Sequence, residues 1–270
     1  MTWRGVPEWA APGHSTDRRI LSTGTLPTQA PHALRWKGAL VLRIVRVWVA
    51  TTLMASGGLL YAASWQRWAG ACPWRGDQET QRCETRMDHL YDFLPPLEPW
   101  MPAGVAAQLA GASLLVLAVA LLPLPWALTG RKPGLPFAAT LLATALISIS
   151  VGLAALRSGL KGAVVSPAAP DITIWLWLLA PPFLFGYLAV LSRGWASGAA
   201  AVLLILASPL VAFFSYAIGP WDAQPWWEAI SGLLTCAAGA CVLVEATRRP
   251  ARRRGAIVEP AVTSETRTVP

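Results

Sequence analysis

Residues 135–156 read LPFAATLLATALISISVGLAAL. No charged residue interrupts them, and Leu and Ala dominate. A run of about 20 apolar residues, wound at 1.5 Å per residue, matches the hydrocarbon thickness of a bilayer. Thr140, Thr144, Ser148 and Gly152 recur at every fourth position, so small side chains share one helix face. Helices approach closely in lipid through such faces. The stretch predicts a transmembrane helix with a packed side and a lipid side.

Outward from it lie further apolar runs near 44–66, 103–126, 173–191, 199–218 and 229–246. They are continuous and rich in Leu and Ala, unlike the short alternating segments of a membrane barrel. The 270-residue chain is 54% hydrophobic and 13% charged, against about 25% charged for a soluble domain. The expected fold class is all-α: a polytopic membrane bundle of six transmembrane helices over 39–247. A disordered cytoplasmic tail over 1–38 precedes it, and a basic then disordered cytoplasmic tail over 248–270 follows. The run from Val47 to Ala63 is long for a signal-peptide core and no clean small-x-small site follows it, so the first helix is expected to be uncleaved.

Lys and Arg in short flanking loops stay cytoplasmic. One set of flanks carries Arg35, Lys37, Arg43, Arg46, Arg131, Lys132, Arg193, Arg248, Arg249 and Arg252 to Arg254. The other carries Arg67, Arg75, Arg82, Arg86, Arg157 and Lys161, but also the acids from Asp77 to Glu98, Asp171, Asp222 and Glu228. The first set is expected inside, which places the protein in the cytoplasmic membrane with both termini cytoplasmic. An even helix count requires the same. The net charge of +8 is then a topology signal and requires no nucleic-acid partner; the lipid bilayer is the expected one, with RRPARRR at 248–254 able to hold anionic headgroups.

Tryptophan marks depth. Trp65, Trp68, Trp74, Trp100, Trp175, Trp177, Trp221, Trp226 and Trp227 fall near outer helix ends, and Trp36, Trp126 and Trp195 near inner ones, as an interfacial belt would. Besides the stripe in the third helix, Gly232, Cys236 and Ala240 recur in the sixth, with Thr235 and Gly239 beside them, and Gly104, Gln108 and Ala112 in the second. All three stripes are expected to face the bundle interior, and are compatible with a monomer or a homo-oligomer. Cys236 and Cys241 sit on different faces and read as packing residues. Pro181 and Pro182 in the fourth run and Pro209 in the fifth predict helix breaks. Interrupted helices can point to a transporter's binding site.

No Asp, Glu, Lys or His stands in the middle of a run, and Gly-rich phosphate loops, Ser-x-x-Lys and His-Glu-x-x-His are absent. No catalytic residue, metal site or cofactor is expected. The chemistry that remains is in the outer loop, 67–102. Cys72 and Cys83 lie where oxidation is permitted and predict a structural disulfide. After it, Met87, Leu90, Tyr91 and Leu94 alternate with Glu84, Asp88 and Asp92 at helical spacing, a short amphipathic surface helix. Asp88, His89 and Asp92 form a candidate outer-face interaction or ligand site, although His89 is one step round from the acidic row.

The block from Cys72 through CETRMDHLYDFLPPLEPWMP into the second helix resembles uncharacterised multi-pass membrane proteins of high-GC Gram-positive bacteria. That resemblance implies a membrane location and brings no activity. The leading expectation is a non-enzymatic envelope or interaction protein that meets a membrane or envelope protein partner through its outer loop. A small-solute transporter or permease component using the proline-kinked helices is the alternative, followed by an enzyme at the outer face.

Overall fold

The computed structural model describes residues 32–74, 80–88, 96, 100–218 and 225–248. Among the described residues there are helices and no strands. In chain order they are α1 (His32–Trp68), α2 (Gln81–Asp88), α3 (Ala106–Leu121), α4 (Leu124–Thr129), α5 (Leu135–Lys161), α6 (Pro170–Leu191), α7 (Trp195–Leu206), α8 (Pro209–Ile218) and α9 (Trp227–Thr247). Residues 38–68 of α1, together with α5, α6 and α9, are long and apolar enough to cross a membrane, whereas α3 and α7 are shorter apolar helices. The two tails lie outside the described residues, apart from Arg248 and from 32–38, where α1 begins at His32 rather than at 39.

Two of the predicted single helices are divided. The run 103–126 becomes α3 and α4, separated at Leu122-Pro123, and the run 199–218 becomes α7 and α8, separated at Ala207-Ser208. Proline explains both interruptions, since Pro123 and Pro209 lack the N–H that would bond the carbonyl four residues back. The expected break at Pro181 and Pro182 is corrected: α6 runs through both prolines to Leu191. The helix buries Trp177, Leu178, Leu184 and Phe185 on either side of the two positions where its own ladder lacks a donor. Glycines in the left-handed region end α4 and α5: Gly130 at φ 69° and Gly162 at φ 66°, each donating to a carbonyl of the last turn.

Neighbour relations close a ring. α1 packs on α3, α3 on α5, α5 on α6, α6 on α7, α7 on α9, and α9 returns to α1. The most extensive of these contacts joins α1 to α9, and backbone proximity explains it. A Cβ on Gly57 would stand 2.4 Å from the Gly232 carbonyl oxygen, and one on Gly232 would stand 2.7 Å from that of Gly57. Gly111 of α3 and Gly152 of α5 make the same kind of crossing, with a Gly111 Cβ 2.6 Å from the Gly152 oxygen. The stripes predicted from spacing are partly rotated. Thr144, Ser148, Gly152, Gly232, Thr235 and Gly239 are buried, but Thr140, Gly104 and Ala240 are exposed, and Gly111 replaces Ala112 at the α3 crossing. One wall of the ring is a cluster of Val49, Leu53, Leu121, Leu124, Leu184, Leu188, Leu204 and Val242 with smaller residues between them.

Candidate functional site

An ion pair closes each end of the α1–α9 pair. At one end Arg67 Nη1 lies 3.6 Å from Glu228 Oε1, with the side chains only 2% and 5% exposed. Trp68 Nε1 donates to Glu228 Oε2 at 2.8 Å, and the Arg67 guanidinium stacks 4.5 Å from the centre of the Trp68 ring. At the other end Arg46 Nη2 lies 3.9 Å from Glu245 Oε1. Its Nε donates to the Ala127 carbonyl at 2.9 Å, which ties the end of α4 to α1. Arg248 approaches Glu245 at 3.7 Å and covers the Trp195 ring. Arg46 and Arg67 stand on one helix about 31 Å apart at 1.5 Å per residue, close to the roughly 30 Å of a hydrocarbon layer. The two ion pairs are therefore separated by about the thickness of a hydrocarbon layer.

A small cap covers the Arg67 end. Cys72 and Cys83 form a disulfide with Cα atoms 4.9 Å apart. The bond lays α2 against the ring, where Cys72, Cys83 and Met87 bury with Trp68, Ala71, Trp226 and Ala229. Trp226 is the pin. Its Nε1 donates to the Cys72 carbonyl at 2.8 Å, and its ring meets those of Trp65 and Trp74 edge-on at 5.7 and 5.4 Å. It sits at φ 66°, a left-handed backbone that costs a bulky residue about 1–3 kcal/mol and persists only where the surroundings over-determine it. Trp68, Trp226 and Trp177 are thus buried, whereas Trp65, Trp74, Trp175 and Trp195 are exposed.

Beneath Glu228 the ring encloses a cavity of about 90 Å³ with walls from all the helices of the ring. α1, α3, α5 and α9 each bring a hydroxyl, and the α7–α8 interruption brings Ser208. Ser56 and Ser113 bond across α1 and α3, each Oγ donating to the other's carbonyl at 3.0 and 2.8 Å. Thr144, Ser148 and Thr235 donate within their own helices at 2.9, 2.9 and 2.8 Å. Those protons are spent on backbone carbonyls, so the oxygens offer lone pairs to the cavity. Two wall groups have no hydrogen-bond partner among the described residues: Ser208 Oγ, on a residue 2% exposed, and Trp227 Nε1. Ser208 stands in the interruption between α7 and α8, with Pro209 beside it in the wall. An unmade hydrogen bond on a buried hydroxyl costs about 1–3 kcal/mol, which a bound polar molecule can recover.

The sequence-derived candidates fare unevenly. Cys72 and Cys83 are joined. Pro181 lines the cavity from within an unbroken α6, Pro182 is half-buried beside it, and Pro209 opens α8 at the cavity wall. Asp88 closes α2, but its side chain, His89 and Asp92 lie outside the described residues. Among the described residues no three His, Cys, Asp or Glu side chains converge as a metal site would require. The Arg67–Glu228 pair and Ser208 carry no sequence motif. Their one signal is opposite charge at the facing ends of two apolar runs, and a Ser-Pro step inside a third. No protein-family model, curated protein or solved structure matches the chain.

Proposed function

We propose that this chain is a six-span protein of the cytoplasmic membrane, with both termini cytoplasmic, that binds a small donor-rich solute in the ring cavity as a transporter or permease component. The span count rests on α3 with α4, and α7 with α8, each acting as one interrupted crossing. Each pair is about 36 Å long at 1.5 Å per residue. Kinship with multi-pass proteins of high-GC Gram-positive bacteria belongs to the same proposal. The observation that carries the binding role is Ser208: a buried hydroxyl without a partner among the described residues, in a cavity wall at a helix interruption. The lining hydroxyls present mostly acceptor lone pairs, and Glu228 is neutralised by Arg67. The matching ligand is a small uncharged molecule rich in O–H or N–H donors.

Thermal unfolding of the purified protein with a panel of small polyols and amides tests this. A ligand at a hundred times its Kd raises stability by about 2.7 kcal/mol, and Ser208→Val is expected to abolish the shift without lowering the unliganded midpoint. A panel without any shift sinks the binding role.

The exposed Trp65 and Trp74 beside the cap favour a second reading, the interaction protein acting through segment 67–102. Loss of a co-purifying partner on Trp74→Ser, with no solute effect, would select it.

Orientation has its own test. An impermeant maleimide applied to intact cells, in a Cys236→Ala, Cys241→Ala background, is expected to label Cys72 and Cys83 only after reduction. Labelling confined to lysed cells would invert the topology.

A further inference from the structure

At the end of the ring opposite the cap, a cleft of about 470 Å³ opens between the α4–α5 turn and the α6–α7 turn. Arg131 and Lys132 line it from the first turn and Arg193 from the second. All three are exposed, and among the described residues none has a carboxylate partner. Of the other cations at this end, Arg46 and Arg248 are held by Glu245, and Arg43 is exposed on α1 outside the cleft. Several carbonyls in the last turns of α4 and α6 beside the cleft are capped. Gly130 N–H donates to Trp126, Thr129 Oγ1 to Pro125, and both Ser192 N–H and Ser192 Oγ to Leu188. The C-terminal ends of α4 and α6 contribute their negative dipole ends, well short of three full positive charges. The first turn of α5 adds its positive dipole end.

The floor and the open side are of another kind. Phe137 and Tyr187 meet with ring centres 4.9 Å apart across α5 and α6. Val190, at 84% exposed, continues the cleft along α6. On a helix apolar enough to cross a membrane, that side faces acyl chains. A ligand for this cleft needs an anionic head for the three cations and an apolar tail for Tyr187 and Val190.

We propose that the cleft bounded by Arg131, Lys132 and Arg193 is a binding site for the phosphate headgroup of an anionic phospholipid. The site is independent of the ring cavity, and the orientation proposed above decides only which leaflet supplies the lipid. Each basic residue near a membrane surface strengthens anionic lipid binding roughly fivefold, so three give on the order of a hundredfold.

The test uses the full chain in detergent, read by native mass spectrometry and thermal midpoint, with phosphatidylglycerol and phosphatidylcholine of identical acyl chains. The wild type is expected to retain phosphatidylglycerol over phosphatidylcholine by at least about tenfold. Arg131→Gln/Lys132→Gln/Arg193→Gln should bring that ratio to near unity with its midpoint in phosphatidylcholine unchanged. Arg43→Gln, an exposed cation outside the cleft, should leave the ratio intact. Overturning results are a triple variant that keeps the preference, an equal loss in Arg43→Gln, or the same stabilisation from inorganic phosphate alone, which would make the cleft a soluble-anion site.

Discussion

Glu228→Leu is expected to cost about 3–5 kcal/mol of stability, the usual loss when one partner of a buried ion pair is removed. The substitution leaves the Arg67 guanidinium, 2% exposed, without the carboxylate 3.6 Å away. It also takes the acceptor from Trp68 Nε1. Glu228→Gln keeps that acceptor and removes only the charge, so its cost should fall between wild type and Glu228→Leu. Arg67→Leu/Glu228→Leu removes both charges and should recover most of the loss, because replacing a whole buried pair by apolar side chains is often neutral or stabilising. Denaturant titration in one detergent, run as a double-mutant cycle, measures all of these. A Glu228→Leu loss below about 1 kcal/mol, the range of a solvent-exposed pair, would show that water screens the site.

Gly57→Leu should be comparably damaging, for a steric reason. Even a Cβ at this position meets the Gly232 carbonyl oxygen at 2.4 Å and Cys236 Sγ at 2.7 Å. The first obstacle is backbone, so no rotamer change relieves it. The two helices must separate, which also strains the ion pairs at both ends of the α1–α9 contact. Overpacking alone costs about 1–3 kcal/mol, and the shared interface should take the loss above about 3 kcal/mol. Gly58 is the control. It is exposed and a Cβ there meets nothing within 4 Å, so Gly58→Leu should stay within about 0.5 kcal/mol of wild type. Equal midpoints for the two variants would mean that the α1–α9 crossing does not govern folding.

Both predictions concern residues that the sequence places without pairing. Apolar runs, basic flanks and tryptophans near helix ends are local properties, and hydropathy over about 20 residues is a depth signal. Hence α5, α6 and α9 are legible within a few residues, and so is the all-helical class. The Cys72–Cys83 pairing was equally within reach, because the two cysteines are close in sequence. Rotation about a helix axis is a different matter. Small residues spaced four apart define a face, but one step of the helix turns that face by about 100°, which is why Ala112 gives way to Gly111 and Ala240 to Gly239.

The proline positions show the same division. Pro123, Pro181, Pro182 and Pro209 all remove a donor, yet α6 continues through its pair while α3 and α7 end. The missing donor is common to all four, so this local rule by itself does not separate the two outcomes. Trp68 meets Glu228 across 160 residues, and Trp226 meets Cys72 across 154. The sequence by itself determined an apolar helical protein with a basic side and a disulfide-closed loop. Only the tertiary structure decided that its helices close into a ring, that a paired Arg and Glu seal that ring beneath the cap, and that Ser208 is left facing a cavity. The reason is physical: composition specifies which medium each segment enters, whereas ring order and side-chain partners follow from close packing between segments far apart in the chain.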